Sequence, residues 1–318
     1  MKRRASGVLP ALDLSRVRTY PLRTRRSKVA KQFLATPPRK GMSLAGWLAG
    51  LPDILAARDF RVVVQAIASR HRAGKRVVMG MGAHPIKVGL SPLIIDFMER
   101  GILSAVAVNG ASLVHDFEMA YAGETSEDVA ANLADGQFGM VEETGRFLNN
   151  AIGASGPEQG LGEAVGRQIL QAGFKNTHLS ILAAGARLGI PVTVHVAIGT
   201  DIIHMHPSAD GAAIGAASLR DFRRLAAVVG GLRGGVFLNL GSAVVIPEVF
   251  VKALNLARNV GKRVDRLVTV DMDFIRHYRP GVNVVQRPTA GNGRGYRLTG
   301  HHEIMFPLLC AAVLEALQ

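Results

Sequence analysis

Residues 103–121 read LSAVAVNGASLVHDFEMAY. The short run Leu103–Val108 ends at Asn109-Gly110 and gives way at once to a helical pattern over Ala111–Tyr121. An apolar run of five or six residues closed by glycine predicts a buried parallel strand leading into a crossover helix. The same grammar recurs along the chain. Arg76–Met81 (RVVMGM) is followed by glycine, Val192–Ala197 (VTVHVA) by Ile198-Gly199, Gly235–Leu240 (GVFLNL) by Gly241, and Arg266–Val270 (RLVTV) by Asp271. Between the runs, helical patterns cover Leu90–Arg100, Phe138–Ile152, Leu161–Ala172, Ser180–Leu188, Ser218–Val229, Pro247–Asn259 and His302–Leu317. Met42–Arg70 reads as helices broken at Leu51-Pro52-Asp53, with Ser43 and Asp53 as caps. Strand and helix in alternation predict an α/β fold: a Rossmann-like, mainly parallel sheet with helices on both faces.

The 318 residues are 48% hydrophobic and 19% charged, enough to bury a sizeable core. One cysteine, Cys310, excludes a disulfide scaffold and an all-cysteine metal cluster. No uncharged apolar run reaches the ~18 residues of a membrane span, and the first residues lack the apolar stretch of a secretory signal. The expectation is a cytoplasmic protein with no membrane partner. The net charge of +14 is concentrated at one end: residues 1–40 carry twelve Lys/Arg, Lys2, Arg3 and Arg4 among them, and a single acid, Asp13. The expected organisation is therefore a basic N-terminal arm, 1–40, followed by one domain, 41–318. Only Tyr20 and Phe33 interleave the arm's charges, which gives base stacking little support. An arm packed on a neighbouring subunit or left solvated is favoured over nucleic-acid binding or a cleaved Arg-rich leader.

In an open parallel sheet, ligands bind beyond the carboxyl ends of the strands. The first end carries Gly82 and Lys87, the lysine placed to meet a phosphate or carboxylate. At the second, Gly110 and Ala111 allow close approach of a dinucleotide. His115 and Glu118 share a helix face there, with Asp116 to one side, and these carboxylates suit ribose hydroxyls or an amine. The third end is the densest, with His195, Thr200, Asp201, His204, His206 and Asp210. His204, His206 and Asp201 are a candidate divalent metal set; a metal-free polar pocket and plain loop hydrogen bonding are the other readings.

At these strand ends the sequence resembles the deoxyhypusine synthase family, in a prokaryotic deoxyhypusine synthase-like branch. The carriers are Lys87-Val88-Gly89-Leu90-Ser91, Asn109-Gly110-Ala111 with His115-Asp116-Phe117-Glu118, Ile190-Pro191-Val192 leading to Gly199-Thr200-Asp201, Leu240-Gly241-Ser242-Ala243-Val244-Val245, and Ile304-Met305-Phe306-Pro307-Leu308-Leu309. The resemblance implies NAD as cofactor and a homotetramer. It places Asn109, Gly110, Ala111 and Ser112 along the dinucleotide and Asp116 and Glu118 near the family's acidic pair. It also places Thr200, Asp201 and Gly241 in other cofactor segments, and Thr269 and Asp271 at the end of the last nucleotide strand. The family's imine-forming lysine has no counterpart, since no lysine follows Lys262. Lys87 is the one strand-end amine that could replace it.

The expectation is thus an NAD-dependent enzyme of deoxyhypusine synthase-like type acting on a small amine or amino acid, and not a true deoxyhypusine synthase. His204 and His115 are the candidate bases; Glu118, Asp201 and Asp116 would hold a cationic amine. The alternatives are a metal-dependent hydrolase using His204, His206 and Asp201, and a non-catalytic NAD- or nucleic-acid-binding protein.

Overall fold

The computed structural model describes residues 9–318; Lys2, Arg3 and Arg4 of the basic arm lie outside them. Six strands form one sheet: β1 Val77–Met81, β2 Ala105–Asn109, β3 Val192–His195, β4 Val236–Leu240, β5 Val268–Asp273 and β6 Arg294–Thr299. Every pairing is parallel and the spatial order is β3-β2-β1-β4-β5-β6. This is the doubly wound order whose strand direction of growth reverses between β1 and β4, opening a crevice at the carboxyl edge.

The strands alternate their side chains between two cores, as the pleat requires. Val77, Met79 and Met81 enter a large cluster with Val106, Leu238 and Val270, covered by the helices Leu55–Arg72, Ser91–Glu99, Gly110–Tyr121 and His302–Leu317. Val78, Ala105, Ala107 and Phe237 enter a second cluster beneath the helices Gly211–Gly230 and Val245–Asn259. In it Phe237 and Phe250 stack at 3.7 Å between centroids. Both faces of the sheet are therefore buried, which is why its strands read as continuous apolar runs. At the edge strand β3, the buried carboxylate of Asp221 accepts from the backbone N–H groups of Val194 and Gly162, each at 2.9 Å. It binds the edge to the start of the Leu161–Ala172 helix.

Several expected boundaries differ. β6 is absent from the sequence reading: RGYRLT has no apolar run, and of its six residues only Leu298 is buried. β5 runs three residues past Val270, through Asp271-Met272-Asp273, all buried. The helix expected at Ser218 begins at Gly211, its N-terminus capped by Asp210, whose carboxylate accepts from Ala212 and Ala213 N–H. Ser43 caps the Leu44–Gly50 helix as expected, whereas Asp53 caps nothing and pairs with Arg58 and Arg61. Residues 9–40 form only three short 3-10 turns, and none of them is buried. Among the described residues no helix is long and apolar enough to cross a membrane.

Candidate functional site

The polar carboxyl edge over β1, β2 and β3 encloses a pocket of about 240 Å³. Six of the residues singled out in the sequence line it: Lys87, Ala111, His115, Glu118, Thr200 and Asp201. They arrive on three separate segments. Lys87 ends the single turn His84–Lys87 after β1, Ala111, His115 and Glu118 lie on the Gly110–Tyr121 helix after β2, and Thr200 and Asp201 sit in the loop after β3.

One wall is a fixed hydrogen-bond chain. Thr125 Oγ1 lies 2.7 Å from His115 Nδ1 and donates to Glu118 Oε2, while Thr144 Oγ1 donates to Glu118 Oε1 at 3.2 Å. Burial pulls the Glu118 pKa up, but the His115 imidazole 3.7 Å away and the hydrogen bonds from Thr125 and Thr144 outweigh it and hold the carboxyl below its usual value. The opposite wall is Asp201, 7% exposed, whose Oδ2 is buried with no partner. Burial alone pushes its pKa up to about 6. The Asp201 carboxylate lies directly over Gly110, where any Cβ would collide with it. Gly110 is thus required by a side chain of its own fold; the expected reason was a dinucleotide's approach.

The remaining candidates divide. Asp116 is removed from the site: fully buried, it accepts from Ser180 Oγ, from Ile181 N–H at 2.7 Å and from Leu182 N–H at 3.2 Å, so it fixes the start of the Ile181–Leu188 helix. Asn109 and Ser112 are also turned inward, Asn109 Oδ1 accepting from Ser112 N–H and Oγ as the cap of their helix. Thr269 is wholly buried in the first half of β5, because the strand continues past it. Asp271 stands in mid-strand, accepts from Asn239 Nδ2 at 2.9 Å, and is pushed up to about 6 by burial. His204 is outside the pocket lining: its Nδ1 accepts from Gly199 N–H at 3.2 Å, and burial lowers its pKa. His206 turns away to the carbonyl of Gly139, 2.8 Å from Nε2. His204, His206 and Asp201 are therefore not gathered around a common point. Among the described residues no group of three or more His, Cys, Asp or Glu is arranged to hold a metal ion, so the metal-dependent hydrolase reading loses its ligand set. His195 is buried beside Thr193 and stays neutral, its pKa lowered to about 4.

Gly82 and Gly241 meet across the β1/β4 opening, where a Cβ on Gly82 would lie 2.5 Å from the Gly241 carbonyl oxygen. Gly241 has φ +67° and carries the ring of His302 against its Cα. Beside it lie three residues absent from the sequence reading of the site, Asp273, His84 and His302. The available signals were a histidine two residues after Gly82 and the pair His301-His302 opening the last helix.

No family model and no curated protein matches the chain. Solved structures do. A protein assigned to the LOR/SDH group from Methanococcus maripaludis S2 superposes with TM-score 0.53 at 14% identity, over 92% of this chain and 75% of that one. A protein assigned as a deoxyhypusine synthase from Entamoeba histolytica gives 0.51 at 10% identity, over 87% and 94%. AgrE in ternary complex with ornithine and NAD+ gives 0.51 at 15%, where this chain spans 34% of the other. At these identities the likeness is one of fold: the chain has a deoxyhypusine synthase-like α/β fold.

Proposed function

We propose that this chain is an NAD-dependent enzyme of deoxyhypusine synthase-like type that oxidises a small amine or amino acid bound in the pocket between Lys87, His115, Glu118 and Asp201. The observation that carries it is the convergence of a free lysine and two carboxylates, from three separate strand ends, on one pocket beside a β1/β4 crevice. A dinucleotide is in keeping with the residues there. Buried polar atoms without partners lie along this edge, Asp201 Oδ2 beyond β3 and Asn239 Oδ1 and both His302 ring nitrogens on the β4/β5 side, and such atoms call for a bound polar group or water. Gly82, Gly241 and the loop into the Val245–Asn259 helix would hold it. When bound, NAD supplies the acceptor for the electron pair of a C–H bond beside nitrogen.

The chain's own groups do the rest. Glu118, held ionised by its hydrogen bonds, attracts the substrate ammonium. Asp201, having no partner of its own, takes one of its N–H groups. Lys87 meets a carboxylate if the substrate carries one, and the Thr125–His115 wall keeps the amine from turning. Aminobutyl transfer is not part of the reading, because residues 263–318 contain no lysine and arginine does not deprotonate to form an imine.

The similarity in fold to an NAD+- and ornithine-bound protein supports the reading. The test is calorimetry of NAD+ binding, with mass spectrometry of small molecules released from the denatured protein. On the substrate so found, Glu118→Gln is expected to lower kcat/KM by about 10- to 100-fold, the worth of one charged hydrogen bond. Absence of NAD+ binding, or full activity of Glu118→Gln, sinks it. Assembly into a homo-oligomer, a tetramer by resemblance, belongs to the same proposal, as does the division into arm 1–40 and domain 41–318.

A further inference from the structure

Three elements converge beside Gly241, one of them the turn whose last residue, Lys87, lines the substrate pocket. His84 comes from the turn after β1, Asp273 and Phe274 from the end of β5, and His301 and His302 from the start of the last helix. The His84 and His302 rings lie 5.2 Å apart, and Phe274 packs on both, at 5.4 and 5.6 Å. His302 is wholly buried, yet neither ring nitrogen makes a well-aligned hydrogen bond; the nearest carboxylate oxygen is Asp273 Oδ1, 3.5 Å from Nε2. Asp273 is itself 5% exposed. A histidine serving only to fill space would leave two buried polar atoms unpaid, a cost that an apolar residue avoids. Here the ring is instead accommodated at the crevice by a glycine at position 241.

We propose that His84, backed by the buried His302 and Asp273, is the acid–base centre of this chain: half-buried His84 takes a proton from the ammonium or hydroxyl of a bound ligand, and the neighbouring His302 ring and Asp273 carboxylate set how readily it does so. The proton leaves the ligand's N–H or O–H bond, whose electron pair stays on the ligand, and joins an imidazole nitrogen. His84 is the catalytic residue, and His302 and Asp273 position and stabilise it. The assignment rests on the amine-oxidising reading and replaces His204 and His115 as bases. His204 is held by Gly199 N–H, and His115 is tied to Thr125.

The groups facing His302 are Asp273 at the end of β5, which His277 also approaches, the Met272 backbone, His84 across the crevice, and Glu303 on its own helix. Burial lowers its pKa first, Asp273 opposes this, and His84 adds to it. The experiment is an imidazole NMR titration of the full ligand-free chain and of His84→Gln and Asp273→Asn. The His302 ring is expected to titrate below the ordinary histidine range in the wild type. Its apparent pKa should rise by about 1 pH unit in His84→Gln, as for coupled sites, and fall in Asp273→Asn. An unchanged His302 titration in His84→Gln overturns the coupling of the two rings. His84→Gln alters a half-buried side chain, so the result does not depend on a core variant folding. Saturating NAD+ should then move the His84 and His302 resonances and leave His115 and His204 in place; the reverse pattern assigns the base elsewhere. If calorimetry finds no NAD+ binding, the functional reading fails, and the His84→Gln titration still decides the coupling.

Discussion

The two halves of the sheet's carboxyl edge are built on opposite plans. Over β2 and β3 most polar groups are tied to protein: Asp116 to a helix start, Asn109 to Ser112, and Glu118 to two threonines. Over β4, β5 and β6 the polar groups sit among aromatic rings, and several lack partners, His302 and Asn239 Oδ1 among them. The first half is largely a finished scaffold, with Asp201 Oδ2 and His204 Nε2 left without partners. The second half holds its polar atoms ready for a group that the chain itself does not supply. Neighbouring acids on one edge can therefore have opposite uses, and the number of hydrogen bonds each accepts separates them.

The sharpest way to break this contrast is to remove the best-satisfied acid. Asp116→Ala deletes three hydrogen bonds to a charged acceptor and strands Ser180 Oγ and two N–H groups in the core. A loss of about 3 kcal/mol or more in urea unfolding is expected. Asp201→Ala, which deletes no hydrogen bond, should cost less than about 1 kcal/mol. Equal losses in the two variants would erase the distinction between scaffold and open position.

A smaller effect, of about 1–3 kcal/mol, should appear in the pH dependence of stability. Burial raises the Asp201 pKa from an ordinary 3.8 to about 6. Between about pH 4 and 6 the folded chain keeps a proton that the unfolded chain has released. The folded state thus binds more protons, and stability falls as pH rises through this window. Asp116, Asp221 and Asp271, each also near 6, add to the same fall. Asp201→Asn removes one contribution. Its stability relative to wild type should climb from pH 4 to 6 and then level off. A relative stability that drops over that range would mean that ionised Asp201 finds a partner in the folded protein.

The same contrast explains what could be read in the sequence. Five strands announced themselves because both faces of each are buried, leaving apolar runs that stop at glycine or an acid. β6 did not, since Arg294, Tyr296 and Arg297 in an edge strand look like loop. The finished pocket was legible because its residues lie within a few positions of the strand ends: Lys87, His115, Glu118 and Asp201 came from that rule alone. The crevice was not, because β5 carries Asp271 and Asp273 as strand residues, and a charged pair reads as the strand's end. Thr269 entered the site through the resemblance alone, and Asp273 was left out because the strand was taken to stop at Asp271. His302 was visible only as the opening of the last helix; its place against Gly241 depends on how that helix returns to the sheet, which local pattern does not encode. Nor does local pattern show that Gly110 makes room for Asp201 and Gly241 for His302.

The smallest effect on stability is expected from the basic arm, and its value lies in that smallness. Residues 9–30 have no buried member and bond only within their own turns, while Leu9, Leu12, Leu14, Val17, Tyr20, Leu22 and Val29 stand exposed. The first contacts with the body come later, where Phe33 accepts from Asp53 N–H and lies under Arg58. Deleting residues 1–30 should therefore change the unfolding free energy by no more than about 0.5 kcal/mol at low protein concentration, the usual range for surface changes. Seven exposed apolar side chains with no buried contact among the described residues have a use if a second copy covers them. Light scattering should then give a mass that is a multiple of 33.8 kDa for the intact chain and a smaller multiple after deletion. An unaltered mass would free the arm from assembly and return its charge to an anionic partner. Steep salt dependence of polynucleotide binding in the intact chain, lost on deletion, would then identify that partner.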